Sequence, residues 1–401
     1  MIKRIMAEKL RGLAAKFPVV SVIGPRQSGK TTLVRDIFPG MDYVSLEDLD
    51  TRQFAVDDPR GFLSSHSKGA VIDEVQRAPN LFSYIQTAVD TRKKAGQFIL
   101  TGSQNILLQE NLSQTLAGRV AILRLLPFSI EELKNTSYKL NTPEEYIFKG
   151  LYPRLYDKKI APADWYPNYI QTYVERDVRL IKNISDLNAF QRFVRMCAGR
   201  IGQILNLSSL GNDCGITHNT AKAWLSVLEA TYLVFLIRPY HRNLNKRLVK
   251  MPKLYFYDTG LACSLLGIQT VGQLDTHYLK GSLFESFVFS EIVKNRFNRG
   301  MEHNCFYWRD KTGNEIDCII ESGNSAMPLE IKASKTIVND FFAGFSYWGK
   351  LTRLDKASSR GLTGRNSRNS YLVYGGDENQ KREHTAVVSW KNIASIFDTG
   401  G

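Results

Sequence analysis

The sequence predicts an α/β protein in which a parallel sheet with a phosphate-binding loop is followed by a helical domain and a second α/β domain. Three observations predict it. A β-branched run, Val19 to Ile23, leads directly into Gly24-Pro25-Arg26-Gln27-Ser28-Gly29-Lys30-Thr31, and a helical pattern from Thr32 to Phe38 follows. A second apolar run, Ala70-Val71-Ile72, ends in two acids, Asp73 and Glu74. The 401 residues amount to two or three domains at about 150 residues each, and the pattern changes near residues 160 and 270.

Composition excludes several classes. Hydrophobic residues make up 43% and charged residues 23%, which excludes a disordered chain, a collagen or a coiled coil. No apolar run reaches the roughly 18 residues a membrane span needs. The N-terminus, Met1 to Glu8, has no apolar signal-peptide core and contains an acid, so it is read as a first helix. The five cysteines, Cys197, Cys214, Cys263, Cys305 and Cys318, are odd in number and form no Cys-x-x-Cys. That pattern suits buried thiols in a reduced, cytoplasmic protein. No histidine stands at metal-ligand spacing with a cysteine, which argues against a structural zinc site.

The elements then follow in order. Glycines let the loop backbone turn tightly so that its amides face phosphate oxygens, and the following helix N-terminus adds partial positive charge. Gly24, Pro25, Arg26, Gln27, Ser28, Gly29, Lys30, Thr31 and Thr32 are therefore the candidate ATP-binding set. Lys30 reaches the β- and γ-phosphates, and the Thr31 hydroxyl ligates Mg²⁺ together with Asp73. Glu74 stands where it would polarise the attacking water, which favours hydrolysis over simple holding. Tyr43 to Leu46 reads as another strand, with Glu47, Asp48 and Asp50 in a solvated loop. Gln97 to Gln104 is a further strand. Ligands of an open parallel sheet sit at the strands' carboxyl ends, so Ser103 is a candidate to sense the γ-phosphate or orient water. Arg119, after Gly118, is either a surface arginine or a group that meets charge on the transferred phosphoryl, in cis or from a neighbouring subunit. Arg26 is a lesser candidate for that role.

These segments, together with Leu100-Thr101-Gly102-Ser103 and Leu116-Ala117-Gly118-Arg119, resemble the AAA-type ATPase domain of a large prokaryotic family with a C-terminal domain of unknown function. Gly150-Leu151-Tyr152-Pro153, Tyr173-Val174-Glu175-Arg176-Asp177-Val178 and Tyr257-Asp258-Thr259-Gly260-Leu261 also resemble that family. The likeness implies an AAA-type ATPase domain over residues 1–160 and a C-terminal domain with a nuclease-like core.

Ser129 is a helix cap, and residues 129–149 read as a small helical addition to the ATPase core. Residues 161–270 form a helical domain. Tyr169 to Ile181 and Phe190 to Ile201 carry helical spacing, and Leu207 to Ile216 reads as a short helix with a glycine turn. Thr217 then caps a second helix. Strands at Leu233 to Arg238 and Lys253 to Asp258 flank an acid-free basic loop, residues 238–253, with Arg238, Arg242, Lys246, Arg247, Lys250 and Lys253. That order resembles a winged helix. Its basic loop suits DNA phosphates, and His218, Asn219, Thr220 and Lys222 suit base edges. A protein-interaction module is the other reading.

Residues 271–401 form the last domain. Leu283 to Val293 is a helix carrying Glu285, and strands follow at Phe306 to Arg309, Asn314 to Ile320 and Pro328 to Lys332. Side chains alternate along a strand, so Glu330 and Lys332 share a face. Asp317 followed by Glu330-x-Lys332 resembles the core of restriction-type nucleases. A restriction-endonuclease-like domain places Mg²⁺ on Asp317 and Glu330, water on Lys332 and Glu285 in support; a buried polar cluster is the bland alternative. Residues 356–370 read as a polar loop, and Tyr371 to Tyr374 and Ala386 to Val388 as closing strands.

The net charge is +14, and residues 151–270 carry 16 basic against 8 acidic residues. More than half of the excess therefore sits in residues 151–270. Three functional readings remain open: an ATP-hydrolysing protein acting on or near DNA, a nucleotide-dependent switch for protein partners, and an ATP-gated Mg²⁺-dependent nuclease. A homo-oligomer is compatible with each.

Overall fold

The computed structural model describes residues 2–103, 115–173, 184, 186–240, 250–323, 325–358, 370–382 and 384–397. Helix α1 (Met6–Ala14) precedes a wholly parallel sheet of β1 (Val19–Ile23), β2 (Asp42–Ser45), β3 (Ala70–Asp73), β4 (Phe98–Gly102) and β5 (Val120–Arg124), in the spatial order β2-β3-β4-β1-β5. Helices α2 (Lys30–Ile37), α3 (Leu49–Asp57), α4 (Pro59–Ser65) and α5 (Leu81–Arg92) are its crossovers. Every residue of β1 is buried, as a parallel strand covered on both faces requires. Val20 and Val22 pack with Met6, Leu10, Leu33 and Val34 on one face. Val19 and Ile23 join Leu81 and Ile85 on the other. Parallel pairing brings the carboxyl ends of the strands to one edge. There β4 lies between β1 and β3, with Ile23 opposite Gly102 and Ile72 opposite Leu100.

The chain then becomes helical. A capping box on Ser129 and Glu132 starts α6 (Ile130–Leu133), and α7 (Pro143–Lys149), α8 (Pro153–Asp157) and α9 (Pro162–Tyr169) follow. The helical pattern read over Tyr169 to Ile181 begins earlier, at Pro162; Val174 to Val178 lies outside the described residues. Helices α10 (Leu187–Ala198), α11 (Leu207–Cys214) and α12 (His218–Ala230) precede a two-stranded antiparallel ribbon of β6 (Val234–Ile237) and β7 (Lys253–Phe256). Arg242, Lys246 and Arg247 of the basic loop lie outside the described residues.

Helices α13 (Thr259–Leu265) and α14 (Val271–Thr276) lead to the long α15 (Lys280–Asn298). A mixed sheet follows, built from β8 (Cys305–Arg309), β9 (Glu315–Ser322), β10 (Ser325–Lys332), β11 (Ser370–Tyr374), β12 (Gln380–Arg382) and β13 (Thr385–Ser389), with α16 (Ala343–Ser358) after β10. The polar segment read as a loop over 356–370 starts inside α16, and residues 359–369 lie outside the described residues. All five cysteines are buried.

Two of the three later motifs that resemble the prokaryotic family, Gly150 to Pro153 and Tyr257 to Leu261, meet around one carboxylate. Asp258 is 2% exposed. It accepts hydrogen bonds from Leu151 N at 2.7 Å, Tyr166 Oη at 2.5 Å and Leu261 N at 3.0 Å. Gly150, at φ +68°, lies so close that a Cβ would stand 1.8 Å from Tyr166 Oη and 2.5 Å from Asp258 Oδ1. Any side chain there would break the junction. These motifs tie α7 to α13 within the fold, and Pro153 of the first reaches the phosphate loop, 3.8 Å from where a Cβ on Gly29 would stand.

Candidate nucleotide site

The phosphate loop runs from the carboxyl end of β1 to the first residue of α2. Gly24 passes the β5 end so closely that a Cβ would stand 2.1 Å from the Leu125 carbonyl oxygen. Gln27 and Gly29 take left-handed backbone at φ +61° and +94°, which curls the loop before α2 starts. Lys30 is buried and donates to the Gly24 and Pro25 carbonyls at 3.0 and 2.8 Å. Burial lowers its pKa, against the opposing pull of Glu74 and Asp73.

β3 delivers Asp73 to the same edge. Its Oδ2 accepts from Thr31 Oγ1 at 2.9 Å and Tyr43 Oη at 2.6 Å, and Thr101 Oγ1 donates to Oδ1. Burial, reinforced by the Asp73 carboxylate, pushes the Tyr43 phenol well above its usual pKa. The next residue, Glu74, adopts left-handed backbone at φ +55° and ψ +45°. A non-glycine residue there stores strain, of order 1 kcal/mol. The Glu74 carboxylate is held by Ser103 Oγ at 2.9 Å and by the Gln76 side-chain amide. Ser103 follows β4, the strand between the loop and the acids, so Lys30, Thr31, Asp73, Glu74 and Ser103 converge at one sheet edge. Gln104 lies outside the described residues.

Two oxygens hydrogen-bonded to each other, from Thr31 and Asp73, are hard donors of the kind Mg²⁺ takes alongside water and phosphate. The Ser28 hydroxyl is buried in the loop with no hydrogen-bond partner among the described residues. Both features fit a Mg²⁺-bound phosphate group. Arg26 stacks over the Tyr173 ring at 5.7 Å.

Arg119 sits elsewhere. Its carbonyl accepts from Val19 N, so it stands at the amino end of β1, the opposite edge of the sheet. The strand between spans about 16 Å at ~3.3 Å per residue. Its guanidinium grips Asp90 with two hydrogen bonds, at 2.6 and 2.9 Å. Action in cis on a nucleotide at the loop is excluded by that placement.

Tyr43, Thr101, Gln76 and Arg4 complete the site's surroundings, and the sequence alone does not mark them as site residues. Tyr43 and Thr101 are read only as parts of strands, and no local pattern marks the other two.

The C-terminal cluster also assembles. Lys332 Nζ donates to Asp317 Oδ2 at 2.9 Å and Glu330 Oε2 at 2.7 Å, and Ile331 N donates to Asp317 Oδ2 at 2.8 Å. Glu285 accepts from Tyr255 Oη at 2.5 Å and Lys253 Nζ at 3.2 Å, and Lys253 also pairs with Glu315 at 2.5 Å. Burial pushes Glu330 up to about 9, aided by the charge of Asp317. Burial also raises Asp317, but Lys332 and Lys253 outweigh it and hold Asp317 below the usual range. The cations between these carboxylates are lysine ammoniums, with Lys332 paired to Asp317 and Glu330 and Lys253 to Glu285 and Glu315. One correction follows. Lys253, read as part of the DNA-facing basic loop, is 5% exposed and turned into this cluster. A buried ammonium needs such partners. Thr217 caps α12 by accepting from Thr220 N at 3.1 Å, and His218, Asn219 and Lys222 are exposed, as is Arg238.

A phosphate loop and an acid-ended strand separated by a third strand, on one parallel sheet, define the P-loop nucleotide-binding class. Residues 16–134 match an AAA domain, residues 141–271 a domain of unknown function (DUF8612) and residues 280–393 a domain of unknown function (DUF4143). The chain thus combines an AAA domain with C-terminal domains of unknown function, which is consistent with a prokaryotic AAA-type family that carries such a C-terminal domain. It is 29% identical over 338 residues to an uncharacterized protein of Mycobacterium tuberculosis, covering 83% of this chain and 74% of that one. An uncharacterized protein of Methanocaldococcus jannaschii is 23% identical, over 76% of this chain and 73% of its own. Among solved structures, the Walker-type ATPase of Pyrococcus abyssi aligns at a TM-score of 0.47 and 15% identity, over 66% of this chain and 96% of that chain. Among the described residues no helix is long and apolar enough to cross a membrane.

Proposed function

We propose that the chain binds ATP with Mg²⁺ at the phosphate loop and hydrolyses it. The observation that carries this is the pairing of two acids with separate tasks. Asp73 is tied to Thr31, while Glu74 is held apart by Ser103 and Gln76 in a strained backbone. Thr31 and Asp73 would hold Mg²⁺, which supplies positive charge against the phosphate oxygens. Lys30 exchanges its carbonyl partners for phosphate oxygens. Ser103 keeps the Glu74 carboxylate turned toward the water it activates. Residues 16–134 matching an AAA domain support the same reading. Steady-state ATP turnover tests it. Lys30→Ala is expected to abolish binding, and Glu74→Gln to bind ATP but lose about 10²–10⁴-fold in rate. Wild-type turnover in both refutes it.

The reading extends to action on or near DNA, supported by the basic excess of residues 151–270 and by the exposed start of α12. Duplex affinity should fall as salt rises. The second reading, a nucleotide-dependent switch that holds protein partners and cuts nothing, draws on the lysine-filled carboxylate cluster. Absence of any salt-sensitive duplex binding favours it. The ATP-gated nuclease remains a third reading, in which Asp317→Ala abolishes cleavage. In a homo-oligomer, Arg119 serves only a neighbour's nucleotide.

A further inference from the structure

Arg4 lies outside the residues matched to an AAA domain, in the turn before α1. Its guanidinium is buried, 7% exposed. Nη1 donates to the Ser28 carbonyl at 2.7 Å, Nη2 to the Leu126 carbonyl at 2.6 Å and Nε to Glu132 Oε1 at 2.9 Å. The group also stacks over the Phe128 ring at 4.9 Å. One side chain thus grips the phosphate loop, the segment after β5 and the cap of α6.

We propose that Arg4 is a positioning residue of the nucleotide site. The Ser28 carbonyl and the Gly29 N–H belong to one planar trans peptide, so they point in opposite directions. Holding the carbonyl outward aims the Gly29 N–H into the loop, where a phosphate oxygen would accept it. Gly29 has left-handed backbone at φ +94°, a residue type free to rotate away. Arg4 removes that freedom from outside.

The anchor itself cannot swing. Glu132 accepts from Ile5 N at 2.9 Å and Ser129 N at 2.9 Å as well as from Arg4. The next amide, Ile130 N, donates to Glu291 Oε2 of α15 at 2.8 Å, and Glu291 pairs with Lys294 at 2.9 Å. The loop is therefore braced against the seam between the first and last domains. Arginine suits the task because its planar fork presents several donors in fixed directions and never loses its charge. A buried ion pair adds little net stability over an apolar filler of the same volume, so geometry is what this one supplies.

The inference rests on the nucleotide-binding reading. The test titrates Mg²⁺-ATP and ADP into the full chain by calorimetry, with melting curves to confirm folding. If the wild-type chain binds neither nucleotide, both readings fall together. If it binds, Arg4→Ala is expected to weaken both roughly tenfold, the size of one charge-assisted hydrogen bond. Millimolar guanidinium, filling the vacated space, should restore most of that affinity to Arg4→Ala, while urea should not. Arg4→Lys, which keeps the charge without the fork, should remain weakened. Where Arg4→Ala fails to fold, Arg4→Met with Glu132→Gln leaves no unpaired buried charge and should show the same loss. Wild-type affinity in a folded variant overturns the proposal alone. A loss in Arg4→Ala that guanidinium does not reverse overturns it too, leaving Arg4 only a packing role.

Discussion

Replacing Asp258 by alanine tests the idea that the later sequence motifs hold the fold together and take no part in chemistry. The carboxylate is buried and accepts from Leu151 N, Tyr166 Oη and Leu261 N at 2.7, 2.5 and 3.0 Å. Losing a charged acceptor costs about 1.5–3 kcal/mol per buried donor left unsatisfied. Leu151 N takes that full penalty. Leu261 N lies in the first turn of α13, where loss of a cap costs about 1 kcal/mol. Tyr166 Oη keeps a bond to the Lys149 carbonyl at 3.2 Å, so its loss is about 1 kcal/mol. The sum is roughly 4 kcal/mol, or about 8–16 °C at ~2–4 °C per kcal/mol for a domain of this size. Thermal unfolding followed by near-ultraviolet circular dichroism reads this, with limited proteolysis to locate the loosened segment. Asp258→Asn, which keeps one acceptor oxygen, should lose about half as much. A shift below about 2 °C for Asp258→Ala would refute the reasoning, because three donors cannot lose a charged acceptor so cheaply.

Two further predictions concern the C-terminal cluster. Glu330 holds its proton up to about pH 9 in the folded chain and releases it near pH 4.3 when unfolded, so it adds stability at low pH that is lost as pH rises between those values. Glu330→Gln should flatten the fall of the melting temperature over that window; an unchanged slope counts against it. Lys253→Met strands Glu285 and Glu315, an effect of about 3–5 kcal/mol for a broken buried pair. The destabilisation should shrink as pH falls and the carboxyls take up protons, which melting at two pH values would show.

Legibility divided along the chain. The phosphate loop was readable because strand, loop and helix are consecutive, and the covalent chain itself places Lys30 and Thr31 beside the turn. Asp73, Glu74 and Ser103 were readable because acids and hydroxyls just after apolar strands reach the same edge whenever the sheet is parallel. Glu330 and Lys332 follow from alternation on one strand. Arg119 shows the limit: it precedes the run Val120 to Arg124, and the parallel pairing of that run with β1 is what places it at the edge opposite the nucleotide.

Local pattern thus determined the class of protein and which residues form the proposed nucleotide site. Tertiary structure alone decided what holds and surrounds the sites. Arg4 meets Glu132 across 128 residues, Lys253 leaves the basic stretch to neutralise Glu285 and Glu315, and Asp258 closes on Leu151 across 107. Propensity and periodicity arise from neighbours along the backbone. A buried charge, by contrast, must find its partner wherever the packed chain brings one, because leaving it unpaired in a low-dielectric interior costs several kcal/mol.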